Sequence, residues 1–196
     1  MSATFDIIVL CKNIIPVDVL YNKLCQNQFE ILIDSIEVID NWEYENQVKL
    51  NLDIDLKTLT NYVENNKIIM ISGLLNDNHR CGLFMCKVSD NIITLDVWIS
   101  SKNLPFLDDD YITEETLSIY EAATNSVIKM NDEYDIYLCG IGVEAYFTYG
   151  ESIDCIIGAS QNINRWVIPS AQQFQRFKGF DEIEKNGFKI ISRTAN

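Results

Sequence analysis

The chain has 196 residues, with 15 Lys and Arg against 29 Asp and Glu, for a net charge of −14. Hydrophobic residues make up 47% and charged residues 22%. That is ample material for a core, and it excludes a disordered tail, a collagen-like fibre and a small disulfide-stapled scaffold. The field of so acidic a chain repels a phosphate backbone, so direct DNA or RNA binding is not expected.

Residues 5–10 form a nearly continuous apolar run, the pattern of a strand covered on both faces. Pro16 suits a helix's first turn, and Val17, Leu20, Tyr21 and Leu24 fall on one helical stripe. A second strand is predicted over residues 29–33. Next, Val48, Leu50, Leu52 and Ile54 alternate with Lys49, Asn51 and Asp53, which predicts a half-solvated strand. Asp55 is placed to cap a short helix that turns Leu56, Leu59 and Val63 inward.

Residues 68–73, 81–88 and 92–99 read as three strands joined by polar turns, which forces an antiparallel meander. The longest helix is predicted over residues 114–130. Thr113 is its cap, and Glu114 and Glu115 sit at the positive end of its dipole. Strand-like runs return at 136–141 and 155–157. Ser170-Ala171-Gln172-Gln173 has the capping-box pattern, with Phe174 and Phe177 behind it and Gly179 as a stop. Asp181 is placed to cap one further turn ending at Gly187, and residues 188–191 read as a closing strand. Crossover and meander connections together predict an α+β (or α/β) fold. Its sheet is mixed and partly antiparallel, with several short helices. No linker, repeat or low-complexity segment interrupts residues 1–196, which read as one globular domain.

Asp6 precedes the first apolar run and Lys12 ends it, so the N-terminus lacks the pattern of a secretory signal. No stretch approaches the roughly 18 apolar residues of a membrane helix. A cytoplasmic protein without membrane contact is expected. Cys11, Cys25, Cys81, Cys86, Cys139 and Cys155 include no Cys-x-x-Cys pair, and free, mostly buried thiols are expected.

Gly140-Ile141-Gly142-Val143-Glu144-Ala145 matches Gly-x-Gly-x-x-Ala, the form of a dinucleotide-binding turn. Such a turn needs a helix behind it to hold the pyrophosphate. The residues that follow, Tyr-Phe-Thr-Tyr, favour a strand, so a glycine-bearing strand is the expectation. His79 is the one histidine and reads as an exposed turn residue. Conventional triad catalysis would have to use it. No catalytic residue, cofactor or metal is expected. The acidic sequence at 108–115 lacks the alternating ligands and central Gly of a calcium loop.

Charge is unevenly spread. Residues 101–160 hold 12 acids and 2 bases. Asp108, Asp109, Asp110, Glu114 and Glu115 cluster there, followed by the aromatic–acidic stretch Glu144, Tyr146, Tyr149, Glu151 and Asp154. Acids steer a basic partner, and Tyr anchors interfaces, so these ten residues are the candidate partner-binding set. In its composition and its acidic run, the chain resembles the immunity proteins of bacterial toxin systems. The resemblance implies a stoichiometric inhibitor that binds a cognate, basic toxin such as a nuclease. The alternatives are a small enzyme with a carboxylate or cysteine site, or a non-catalytic subunit of a larger assembly.

Overall fold

The computed structural model describes residues 3–20, 31–76, 79–103, 110–150, 152–175 and 179–194. Its strands are β1 (Thr4–Cys11), β2 (Ile31–Ile39), β3 (Val48–Lys49), β4 (Ile68–Leu75), β5 (His79–Ser89), β6 (Ile92–Ser100), β7 (Ile136–Tyr146), β8 (Gln161–Pro169), β9 (Asp181–Lys185) and β10 (Phe188–Ser192). Its helices are α1 (Leu56–Glu64), α2 (Leu117–Tyr134) and α3 (Ile153–Ala159). Residues 17–20 are also helical.

The strands form one sheet in the order β3-β2-β4-β5-β6-β1-β7-β8-β10-β9. Every strand pairing is antiparallel. The expected mixed sheet is therefore corrected. The helices do not return the chain to a parallel neighbour, because β1 is flanked by β6 and β7, both running against it. The one parallel bridge described, Ile112 to Thr194, lies outside the strands. The layout is mostly sheet, and α/β no longer describes it.

Alternation sorts side chains onto two faces. On the first, Phe5, Val9 and Cys11 of β1 join Ile36, Ile69, Met85, Leu95, Ile141 and Val167. Val17 and Leu20, α1 through Leu59 and Val63, and α2 through Tyr120 and Val127 cover this face. Asp55 caps α1 as expected, accepting from the Lys57 N–H at 3.0 Å. Leu59 and Val63 are fully buried, each worth about 1.5–3 kcal/mol. The second face is covered differently. Ile8 and Leu10 of β1 join Leu138, Ile163, Trp166, Ile168 and Ile191 under α3, through Ile153, Ile156 and Ile157. β1 is thus covered on both faces, as its apolar run implied.

On the second face, β2, β4, β5 and β6 carry no helix among the described residues. A small cluster of Ile39, Ile68 and Cys86 closes one end. Elsewhere Leu32, Ser35, Ser72, Gly82, Phe84, Asp96 and Trp98 stay half-buried or exposed. The sheet edges are protected by brevity and charge. β3 has 2 residues, and β9 carries Asp181, Glu182, Glu184 and Lys185.

Several expectations are corrected. The strand expected at 48–54 ends at Lys49, because the Asn51 side chain accepts from the Asp53 N–H and turns the chain. Residues 155–157 belong to α3, not a strand. Ser152 caps it by accepting from the Cys155 N–H at 3.2 Å, and Ile153, Ile156 and Ile157 have helical spacing. Ser170 to Gln173 opens no helix; the Ser170 N–H donates to the Gly187 carbonyl instead. Phe177 lies outside the described residues. Asp181 begins β9, not a helical turn. The helix predicted at 114–130 spans Leu117–Tyr134, with Thr113 and Thr116 bonded to each other before it. Strand β8 was not foreseen.

Candidate functional site

Asp6 stands in β1, a mostly apolar and mostly buried strand, and its side chain falls on the second face. It is 5% exposed. Its Oδ2 accepts from Thr4 Oγ1 at 3.1 Å and from the Ala145 N–H at 2.8 Å. The second bond exists because β7 and β8 fall out of register after Gly142 and Glu144 adopts φ 47°, so Ala145 leaves the β8 ladder. Burial raises the Asp6 carboxyl above its ordinary range, the two hydrogen bonds oppose this, and the Glu144 charge adds to it.

On neighbouring β6, Thr94, Asp96 and Trp98 point to the same face, with Trp98 directly opposite Asp6. Thr94 is 2% exposed. Thr94 Oγ1, Asp96 Oδ1 and Trp98 Nε1 are all buried without a hydrogen-bond partner. The Tyr149 hydroxyl lies close enough to Thr94 for the two hydroxyls to interact. Burial, and secondarily the charge of Asp6, push the Asp96 carboxyl up to about 8. Burial likewise pushes the Tyr149 phenol up to about 12.

Glycines and loops place the aromatic residues. A Cβ on Gly82 would lie 2.5 Å from the Trp98 ring, so the indole lies against bare β5 backbone. Phe147 rests on Gly140 and stacks on Trp166 at 5.3 Å, folding the chain after β7 over the second face. That fold carries Tyr149 to Thr94, Cys86 and Asp96. At the other side, Asn41 accepts from the Glu43 N–H, and Tyr44 and Asn46 adopt positive φ. This loop sets Trp42 edge-on to Phe84 at 5.7 Å. Phe84 pairs with Asp96 across the β5–β6 ladder. Trp42, Tyr146 and Tyr149 remain 53%, 63% and 44% exposed.

Of the ten candidate residues, Asp108, Asp109 and Glu151 lie outside the described residues. Asp110, Glu114 and Glu115 are exposed before α2, where Tyr111 lies under the Arg193 guanidinium at 4.7 Å. Asp154, in the first turn of α3, accepts from the Gln175 N–H at 2.8 Å and ties two loops together. Glu144, Tyr146 and Tyr149 gather around Asp6 and Asp96. The two expected segments are thus divided: α2 covers the first face and α3 the second. Sequence reasoning missed Asp6, Thr94, Asp96 and Trp98. Their signal was polar residues inside otherwise apolar strands.

The Gly140–Gly142 segment runs inside β7. A Cβ on Gly142 would meet the Asn162 carbonyl at 1.8 Å, so close strand approach explains that glycine. His79 opens β5 and is half-buried, correcting the exposed-turn expectation. Cys11, Cys81, Cys86 and Cys139 are free and buried; Cys155 is free and exposed; Cys25 lies outside the described residues. Among the described residues, no three His, Cys, Asp or Glu side chains gather as a metal site, and no helix is long and apolar enough to cross a membrane.

No protein-family model matches the chain, and no curated protein or solved structure matches it.

Proposed function

We propose that this protein is the immunity member of a toxin–immunity pair, a stoichiometric binder that neutralises a basic toxin protein. The observation that carries the reading is the part of the second face that no helix covers among the described residues. There, exposed Tyr146 and Tyr149 stand near Asp96, with Trp42 beyond Phe84, the cross-strand partner of Asp96; Asp96, buried Asp6 and its neighbour Glu144 form no ion pair among the described residues. Large amphipathic rings at a rim anchor protein interfaces. Carboxylate charge attracts a cationic partner and speeds its encounter; on this face Glu144 supplies it, since Asp96 holds its proton until about pH 8. Arg80 of β5 pairs with Asp34, and Lys67, just ahead of β4, pairs with Asp40. Exposed Asp110, Glu114 and Glu115 add steering charge outside this face.

The test is co-expression with the product of the adjacent reading frame. Support is a one-to-one complex that suppresses that product's toxicity; an inert, non-binding neighbour defeats the reading.

A second reading rests on one specific observation. Two carboxylates share a face, and one is held near 8, an arrangement suited to general acid–base chemistry. Turnover by the isolated protein, lost in Asp96→Asn, would favour that enzyme reading over the inhibitor.

A further inference from the structure

We propose that Asp6, Thr94, Asp96, Trp98 and Tyr149 form the seat of an arginine side chain presented by the basic partner. This rests on the reading above and narrows it to one recognised group.

Geometry defines what the occupant must supply. Asp96 Oδ1 is buried and lacks a donor, while Trp98 Nε1 is buried and lacks an acceptor. Thr94 Oγ1, which can act as either, is buried with the Tyr149 hydroxyl beside it. Leaving such groups unsatisfied is costly, and a ligand that both donates and accepts would satisfy them. A peptide segment bearing a cation does both: its side chain donates to the carboxylates and its backbone carbonyl accepts from the indole. The walls select the cation. A guanidinium is planar, weakly hydrated and stacks on aromatic rings, and here it would lie among Trp98, Tyr149 and Tyr146. Its five N–H groups can serve two carboxylates at once, whereas an ammonium is a strongly hydrated point charge.

The charges facing Asp96 are Asp6 from β1, with the Tyr149 and Tyr146 phenols and the Cys86 thiol nearby; Glu144 faces Asp6 from β7. None is cationic. Asp96 therefore holds its proton at neutral pH in the free protein, and a seated guanidinium displaces it. Binding is accompanied by proton release and strengthens as pH rises from 6 towards 9.

The experiment titrates the full chain with acetyl-Gly-Arg-Gly-amide, up to about 20 mM, the range suited to a single-residue ligand. The readout is the Trp98 indole N–H resonance, identified by its loss in Trp98→Phe. The Lys tripeptide and the citrulline tripeptide, which is isosteric with Arg but neutral, serve as comparisons. A saturating shift is expected with Arg, a weaker one with Lys and none with citrulline. Asp96→Asn should lower the affinity by about tenfold or more. If that variant fails to fold, Tyr149→Ser, at an exposed position, should still lower it several-fold. No saturable shift, an equal shift with citrulline, or wild-type affinity in both variants overturns the proposal. If the tripeptide fails while the neighbour-encoded protein still forms a salt-sensitive complex, the arginine seat is wrong and the basic-partner reading stands. If the tripeptide binds and no complex forms, the seat stands without that partner.

Discussion

Asp6 and Asp96 project from adjacent strands onto the same face of the sheet, and neither is paired with a cation among the described residues. Burial first, and the charge of Asp6 second, hold the Asp96 proton until about pH 8. Two largely buried acids on adjacent, otherwise mostly apolar strands are a cost to folding. That cost makes the pair the natural place to look for a binding role.

The pair gives stability a pH dependence with a definite sign. Asp96 ionises near 3.8 in the unfolded chain and near 8 in the folded one, so the folded state binds the extra proton between these values. The stabilisation is complete below about pH 4 and is lost as pH rises through about 8. Asp96→Asn removes this slope. Urea unfolding from pH 4 to 8.5 should show the variant gaining about 2–5 kcal/mol relative to wild type over that span. Asp6, raised in the same direction, leaves a smaller slope of the same sign. Parallel curves for the two proteins would show that Asp96 is ordinary.

Two glycines predict opposite effects of the same substitution. Gly142 faces the Asn162 carbonyl of β8 with no room for a methyl group, and that contact is backbone. Gly142→Ala should cost about 2–4 kcal/mol. Gly158, inside α3, has open space where a Cβ would go. Gly158→Ala should stabilise by about 0.5–1 kcal/mol, because Ala loses less backbone entropy on folding. Denaturant midpoints of both variants check the contrast.

Arg165 is a buried cation on the first face. Its side chain is 3% exposed and donates to Glu121 at 2.8 Å, Ser192 at 2.9 Å and Thr124 at 3.3 Å, with the Tyr120 ring at 5.7 Å. Removing Glu121 strands that buried charge, so Glu121→Ala should cost about 3 kcal/mol. Arg165→Met keeps the volume and leaves a carboxylate that is 34% exposed and 3.6 Å from Lys185, so it should cost only about 1 kcal/mol. Unfolding free energies in the reverse order would contradict this description of the pair.

The sequence carried the covered strand at β1, the Asp55 cap and the β4–β5–β6 meander, because each rests on a local pattern of period or turn. It misled where local patterns are short. The Ile156–Ile157 pair is apolar in a strand or a helix, and only the Ser152 cap and Ile153 decide for α3. β9 carries mostly charges and has no buried alternation, so its hairpin was missed. The Asn186-Gly187 turn, with φ of 51° and 79°, was the available signal. The candidate site divides the same way. Glu144, Tyr146 and Tyr149 are near one another in sequence and were legible. Asp6, Thr94, Asp96 and Trp98 meet only through the pairing of strands some 90 residues apart, which no local pattern reveals.

Recognition of a basic protein by these acidic and aromatic residues is tested most directly by association kinetics with the neighbour-encoded protein at two ionic strengths. Asp108→Asn, Asp109→Asn and Asp110→Asn together should slow association several-fold at low salt. The loss should shrink once the Debye length falls below about 10 Å. Asp96→Asn, at a buried position, should instead speed dissociation, whatever the salt. If both proteins associate and dissociate at wild-type rates in low salt, these carboxylates are only solvated and structural charge, and the partner does not bind there.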